Sequence, residues 1–342
     1  RLSHVDLEYR KLLIAFPNTL KVQLQMLSRK VPANYAILLS NMFVKNISTI
    51  TVFGSGIMGS GIAAVSAIND HEVRLVDVNN DLLQSSRQRI QQILNRTASK
   101  KFPQDKAIAK AFFDRAISRI SFTTDTSTAI EHSTLIIEAI AEDIEAKKRL
   151  FKKLDELAPK TCIFSTNTSS LPINDIACAI SRPELMGGLH FFNPVPAMRL
   201  VEIVRTEKTS DSTIKFLCDF AKSLGKTVVM CKDTPGFIVN RLLVPYLVEA
   251  VRMYERGDAS IADIDTAMRL GAGYPMGPFE LSDYVGLDTM NSILSGWAAN
   301  YPDEPAFKLC KTMQEMVKTG RLGKKSGHGF YKYDEKGHIV SN

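Results

Sequence analysis

From Ile47 onward, short β-branched runs alternate with segments whose apolar residues recur at helical spacing. The runs Ile50–Phe53, Val73–Val78, Ser118–Thr123, Leu135–Ile140, Cys162–Ser165, Met186–Phe191, Leu200–Val204 and Thr227–Cys231 read as strands. Met58–Asn69, Asp81–Lys100, Asp143–Leu157 and Asp211–Leu224 read as the helices between them. Strands linked by helices predict a parallel sheet covered on both faces, an α/β fold. From Asp233 the strand pattern vanishes. Phe237–Glu255, interrupted by Pro245, and Ile261–Leu270 carry the apolar stripe of packed helices. The expected organisation is an N-terminal extension over residues 1–46, a Rossmann-like domain over 47–232, and an all-helical domain over 233–335. Asp233-Thr234-Pro235-Gly236 forms the hinge.

Composition narrows the functional classes. The 342 residues make about two domains at roughly 150 residues each, and 45% hydrophobic with 23% charged residues is a globular balance. No run approaches the roughly 18 apolar residues needed to span a bilayer. A net charge of +7 without dense basic clusters argues against nucleic acid as a partner and suits a small polyanion. The five cysteines form no C-x-x-C pair, so they read as reduced structural thiols, and no metal site is expected. Between Tyr9 and Asn69 there is no acidic residue, while Arg10, Lys11, Lys21, Arg29, Lys30 and Lys45 punctuate the leader. That pattern is presequence-like and predicts mitochondrial import; the alternative is an extension without function.

The first strand runs into Gly54-Ser55-Gly56-Ile57-Met58-Gly59 at the start of the first helix. The glycines of this fingerprint permit a tight turn, close approach of a pyrophosphate, and helix–strand packing. Asp77 ends the second strand 23 residues after Gly54, where a carboxylate accepts hydrogen bonds from the adenosine ribose and repels a 2′-phosphate. NAD is the expected cofactor.

His190 is the histidine that ends a strand of the α/β region, just before Asn193-Pro194. Ligands of such sheets bind beyond the carboxyl ends of the strands. Glu202 lies between apolar neighbours on the next strand, and a buried carboxylate needs a partner. If the two strands fold back beside each other, Glu202 can orient the His190 ring, giving either a general base or a satisfied core pair. Spacing alone leaves both open.

The fingerprint, Asp77, and the strings Ser165 to Leu171, Gly188 to Pro196, Asp233 to Arg241, Ala272 to Pro278 and Gly323 to Gly327 stand in one order. From Ile47 to Tyr333 the chain closely resembles the short-chain L-3-hydroxyacyl-CoA dehydrogenases of mitochondria, of the stand-alone type. The resemblance implies oxidation of (S)-3-hydroxyacyl-CoA to 3-oxoacyl-CoA in fatty-acid β-oxidation, within the mitochondrial matrix, by a homodimer. It makes His190 and Glu202 the catalytic dyad, with Ser169 and Asn240 in the catalytic and substrate-binding set. It adds Glu142, Lys147, Ser169, Asn193 and Lys325 to Gly54, Ser55, Gly56, Ile57, Met58, Gly59 and Asp77 as cofactor contacts.

Bland alternatives stand beside these roles: helix capping for Ser169, and a solvated helix face and basic tail for Glu142, Lys147 and Lys325. Lys100 matches a lysine that contacts coenzyme A, and Arg89 and Arg96 lie within roughly 40° of it around the helix. The edge could bind phosphates or merely solubilise. Ile93 stands where the family carries a CoA-contacting serine. Two other readings remain: a dehydrogenase of a non-CoA hydroxy substrate, of the L-gulonate type, or a non-enzymatic nucleotide-binding relative.

Overall fold

The structure is a computed structural model that describes residues 49–341. The leader over 1–46 and its expected role lie outside the described residues.

Eight strands form one sheet: β1 (Thr49–Phe53), β2 (Glu72–Val76), β3 (Ile120–Thr123), β4 (Leu135–Glu138), β5 (Ile163–Thr166), β6 (Met186–Phe191), β7 (Leu200–Arg205) and β8 (Thr227–Lys232). Their order is β3-β2-β1-β4-β5-β6-β7-β8. Strands β1 to β6 run parallel. At β7 the direction reverses, and β8 follows β7 in parallel. The first six strands therefore have the doubly wound order of dinucleotide-binding sheets, with their carboxyl ends on one edge.

Alternate residues of each strand feed opposite cores. Ile50, Val52, Leu75, Leu135 and Ile137 pack with α1 (Ile57–Ile68), α2 (Asn80–Lys101) and α7 (Asp211–Ser223). Phe53, Ile136 and Phe164 pack with α4 (Thr126–Ile130), α5 (Ile144–Leu157) and α6 (Ile173–Ala177). By the same alternation Glu138, Thr166, His190 and Glu202 fall on this second face.

Helix α3 (Lys106–Ile117) fills a span where no element is legible from periodicity. Asp105 starts it by accepting the Ile108 amide proton at 2.9 Å, after Pro103 has broken the previous helix. Strand β4 also stops two residues before its expected end, because the Glu138 carboxylate takes the Ile140 N–H at 2.7 Å and turns the chain out of the sheet.

Beyond the hinge come α8 (Val239–Glu255), α9 (Ile261–Gly271), α10 (Pro278–Val285), α11 (Leu287–Asn300) and α12 (Lys311–Lys318) around a third core. Helix α8 continues through Pro245. One short antiparallel pair, β9 (Lys332–Tyr333) with β10 (Ile339–Ser341), interrupts the expected absence of strands there. Two buried aspartates fasten this region. Asp283 accepts from the Phe330 and Tyr331 amides, and Asp265 from the Phe279 and Glu280 amides. Buried carboxylates are tolerated there because both oxygens of each accept hydrogen bonds.

Candidate active site

The glycine-rich loop is shaped by close packing on two sides and openness on the third. Gly54 has φ +96°, and a Cβ there would collide with the Ala139 carbonyl; a Cβ on Gly59 would strike the Gly54 carbonyl. At Gly56 a Cβ would meet nothing within 4 Å. That open cradle sits at the start of α1, which has no side-chain cap and no acidic residue in its first turn. Free amide donors at a helix start suit a diphosphate. Asp77 holds the loop from the side, accepting both Ser55 N and Ser55 Oγ at 2.6 Å on one oxygen, while the other takes Val78 N at 2.7 Å. A carboxylate offers about four acceptor sites, which leaves capacity for a ribose hydroxyl.

Arg89 does not join Lys100 and Arg96 as a phosphate-binding edge. Its guanidinium donates to the Ser55 carbonyl at 2.7 Å, because the helix turns that side chain under the loop. Lys100 and Arg96 remain exposed, and Ile93 packs against the core.

At the same edge of the sheet, His190 of β6 faces Glu202 of β7 in register. His190 Nδ1 lies 2.7 Å from Glu202 Oε2, with His190 4% exposed and Glu202 fully buried. The other carboxylate oxygen accepts the Ile238 and Val239 amides at 3.2 and 2.8 Å, where the positive end of α8 favours an anion. The rings of Phe192 and Phe237 flank the imidazole at 4.5 and 5.5 Å.

Between these two centres lies the turn after β5. Glu142 accepts from Thr168 Oγ1 at 2.5 Å, Ser169 N at 3.0 Å, and Ser170 N and Oγ at 3.3 and 3.1 Å. Burial raises its pKa, but the nearby Lys147 ammonium and these hydrogen bonds outweigh it and hold the carboxyl below its ordinary range. Asn240 Nδ2 donates to the Ser169 carbonyl at 3.2 Å. Ser169 does not cap α6. Thr168 Oγ1 makes the local turn, accepting Leu171 N at 3.0 Å, and Asp233 from the hinge accepts the Ile173 and Asn174 amides at 3.1 and 2.7 Å. Lys147 is 1% exposed, so the solvated-helix reading fails for it.

The structure thus brings together His190 with Glu202, and Ser169 with Asn240, Glu142 and Lys147. Asn193 is exposed beyond the end of β6. Lys325 lies apart in the 3-10 turn Lys324–Ser326, paired with Asp288 at 2.6 Å.

Sequence reasoning gave no site role to Glu138 or Asn167 and read Asp233 only as part of the hinge. Asn167 Oδ1 accepts the Phe191 amide at 2.9 Å and so fixes the strand end that carries His190. Glu138 had a legible signal, a carboxylate closing the apolar run Leu135-Ile136-Ile137, the same argument that identifies Glu202.

Two family models cover the described chain: the NAD binding domain of 3-hydroxyacyl-CoA dehydrogenase over residues 49–234, and its C-terminal domain over residues 236–333. The chain is 53% identical over 287 residues to a mitochondrial hydroxyacyl-coenzyme A dehydrogenase of Rattus norvegicus, covering 84% of this chain and 91% of that protein. Its Homo sapiens counterpart is 50% identical over the same length and the same shares of both chains. Among solved structures, an (S)-3-hydroxybutyryl-CoA dehydrogenase from Ralstonia eutropha superposes with a TM-score of 0.79 at 35% identity, covering 85% of this chain and 100% of that one. With an NAD-shaped loop, a histidine–carboxylate pair at the strand ends and both domain models matched, the chain belongs to the 3-hydroxyacyl-CoA dehydrogenase family.

Proposed function

We propose that the chain oxidises (S)-3-hydroxyacyl-CoA to 3-oxoacyl-CoA with NAD, as a step of fatty-acid β-oxidation. The observation that carries this reading is the His190–Glu202 pair, 2.7 Å apart at the carboxyl end of the sheet. Glu202 holds the Nδ1 proton, which leaves Nε2 unprotonated and able to take the proton of the C3 hydroxyl. The flanking phenyl rings and burial lower the local dielectric, so the charge that Glu202 supplies to the forming imidazolium counts for more than it would in water. NAD, when bound, accepts the hydride from C3. In the opposite direction protonated His190 returns its proton to the ketone oxygen.

The open cradle at Gly56, the neighbouring Ser55, Ile57 and Met58, and Asp77 fit the dinucleotide, and the family resemblance adds Glu142, Lys147, Ser169, Asn193 and, from the helical region, Lys325 as further contacts. Asp77 selects NAD against NADP by charge. Ser169 and Asn240 orient the substrate, and Lys100 meets the phosphates of coenzyme A.

In this reading residues 47–232 carry the cofactor, residues 233–335 close over the substrate, and the acid-poor leader directs the chain to the mitochondrial matrix. The Rattus norvegicus and Homo sapiens relatives described above are named mitochondrial. Leu242 and Leu270, 70% and 83% exposed on the helical part, support a homodimer.

NADH oxidation by the purified chain with acetoacetyl-CoA, run beside free acetoacetate, tests the proposal. Fast turnover with the thioester alone supports it. Equal turnover with the free acid moves the substrate outside the CoA esters.

A further inference from the structure

Glu138 takes no part in the proton transfer, yet it is fully buried at the carboxyl end of β4, on the sheet face that carries His190 and Glu202. Its oxygens accept three hydrogen bonds: Lys147 Nζ at 2.6 Å, Thr166 Oγ1 at 2.6 Å and Ile140 N at 2.7 Å. Lys147 reaches onward to Glu142 at 3.2 Å. Glu142 gathers the Thr168 to Ser170 turn, and the Ser169 carbonyl receives Asn240. An unbroken series of polar contacts therefore runs from the floor of the sheet to the first turn of α8.

We propose that Glu138 is a positioning residue for the reaction, holding Lys147 in place and through it the Glu142-capped turn that presents Ser169. A buried ammonium needs compensating charge. Two carboxylates share that task here, Glu138 at 2.6 Å and Glu142 at 3.2 Å from the Lys147 ammonium. With Glu138 in place, Lys147 can meet Glu142 without pulling it from the turn. Without Glu138, the ammonium keeps one anionic partner, and the geometry that favours the ion pair competes with the geometry that caps Thr168 to Ser170. Burial pushes the Glu138 carboxyl upward, opposed by Lys147 and by its two other donors, so its hold depends on all three contacts.

The inference rests on the reading that Ser169 serves the reaction, and a double-mutant cycle separates the two ideas. In the full chain, Glu138→Gln is expected to lower kcat with acetoacetyl-CoA and NADH by about 10- to 100-fold, with KM for the thioester changed by less than about threefold. Combined with Ser169→Ala, it is expected to add little to the loss that Ser169→Ala causes alone, because both act through one turn. A merely structural Glu138 predicts multiplied losses instead. Multiplied losses, or a Glu138→Gln variant as fast as the parent, overturn the proposal. A Ser169→Ala variant of full activity overturns the site reading and this inference with it. If Glu138→Gln does not fold, Thr166→Val removes one donor to Glu138 while sparing the Lys147 contact. It should cost about threefold in kcat, again without adding to Ser169→Ala; an additive loss or none sinks the idea.

Discussion

The two ends of the proposed catalytic cleft are built differently. The nucleotide end is almost entirely local: a turn of six residues, a helix start, and one aspartate 22 residues beyond the serine it latches. Its working groups are backbone amides and an absent side chain at Gly56. The chemical end draws side chains from β4, α5, the turn after β5, β6, β7 and the first turn of α8, and each is held by a partner on another element. Backbone sites tolerate sequence change as long as the turn survives. Side-chain sites fail whenever one partner is lost. Activity should therefore be far more sensitive to substitution at the second end, and nucleotide affinity far more sensitive at the first.

The sharpest test is His190→Gln, which should lower turnover by about 10²- to 10⁴-fold with NADH binding nearly unchanged by fluorescence titration. A matching loss of NADH affinity would dissolve the distinction between the ends. Glu202→Gln should cost about 10²-fold, and the reason is tautomeric. The Ile238 and Val239 amides demand an oxygen, so the new amide would turn its NH2 toward His190 Nδ1 and force the ring proton onto the nitrogen that must act as base. Steady-state kinetics with acetoacetyl-CoA measure it, and a loss below threefold would mean that Glu202 serves packing.

At the nucleotide end, Asp77→Ala should relax the preference for NADH over NADPH by about tenfold while leaving the rate of the bound complex nearly intact. An unchanged preference would restrict Asp77 to latching Ser55. The smallest expected effect is on acid stability. Glu142 has a folded pKa below its ordinary 4.5, so the stability it contributes is present above that value and is lost as pH falls through the depressed one. Melting measured on the acid side of pH 5 should therefore fall less steeply in Glu142→Gln than in the parent, and an identical slope would remove Glu142 from the Lys147 network.

The fold's frame was legible because its signals are local. β-branched runs, helical periodicity and the glycine fingerprint act within a dozen residues, and all eight strands of the main sheet stand where the pattern puts them, within a few residues. Helix α3 escaped because its apolar residues are spread over half-buried positions, and its start depends on the Asp105 cap. Of the site, Asp77, His190 and Glu202 could be read as candidates, one from its spacing to the loop and two from charge set among apolar neighbours. Glu138 carried the same kind of signal as Glu202, but the roles of Asn167 and Asp233 could not be read, since each is defined by backbone amides on another element.

From the chain's order of residues alone followed the parallel sheet, the NAD-type loop and the identity of a histidine and a carboxylate able to act together. Only the tertiary structure decided that β7 runs back against β6 so that His190 and Glu202 meet in register, that Arg89 braces the loop instead of reaching for phosphate, and that Lys147 is buried between two carboxylates. The physical reason is the same in each case. Periodicity and turn chemistry depend on neighbours along the chain, whereas the partner of a buried charge is chosen by strand direction and packing, which no local pattern encodes.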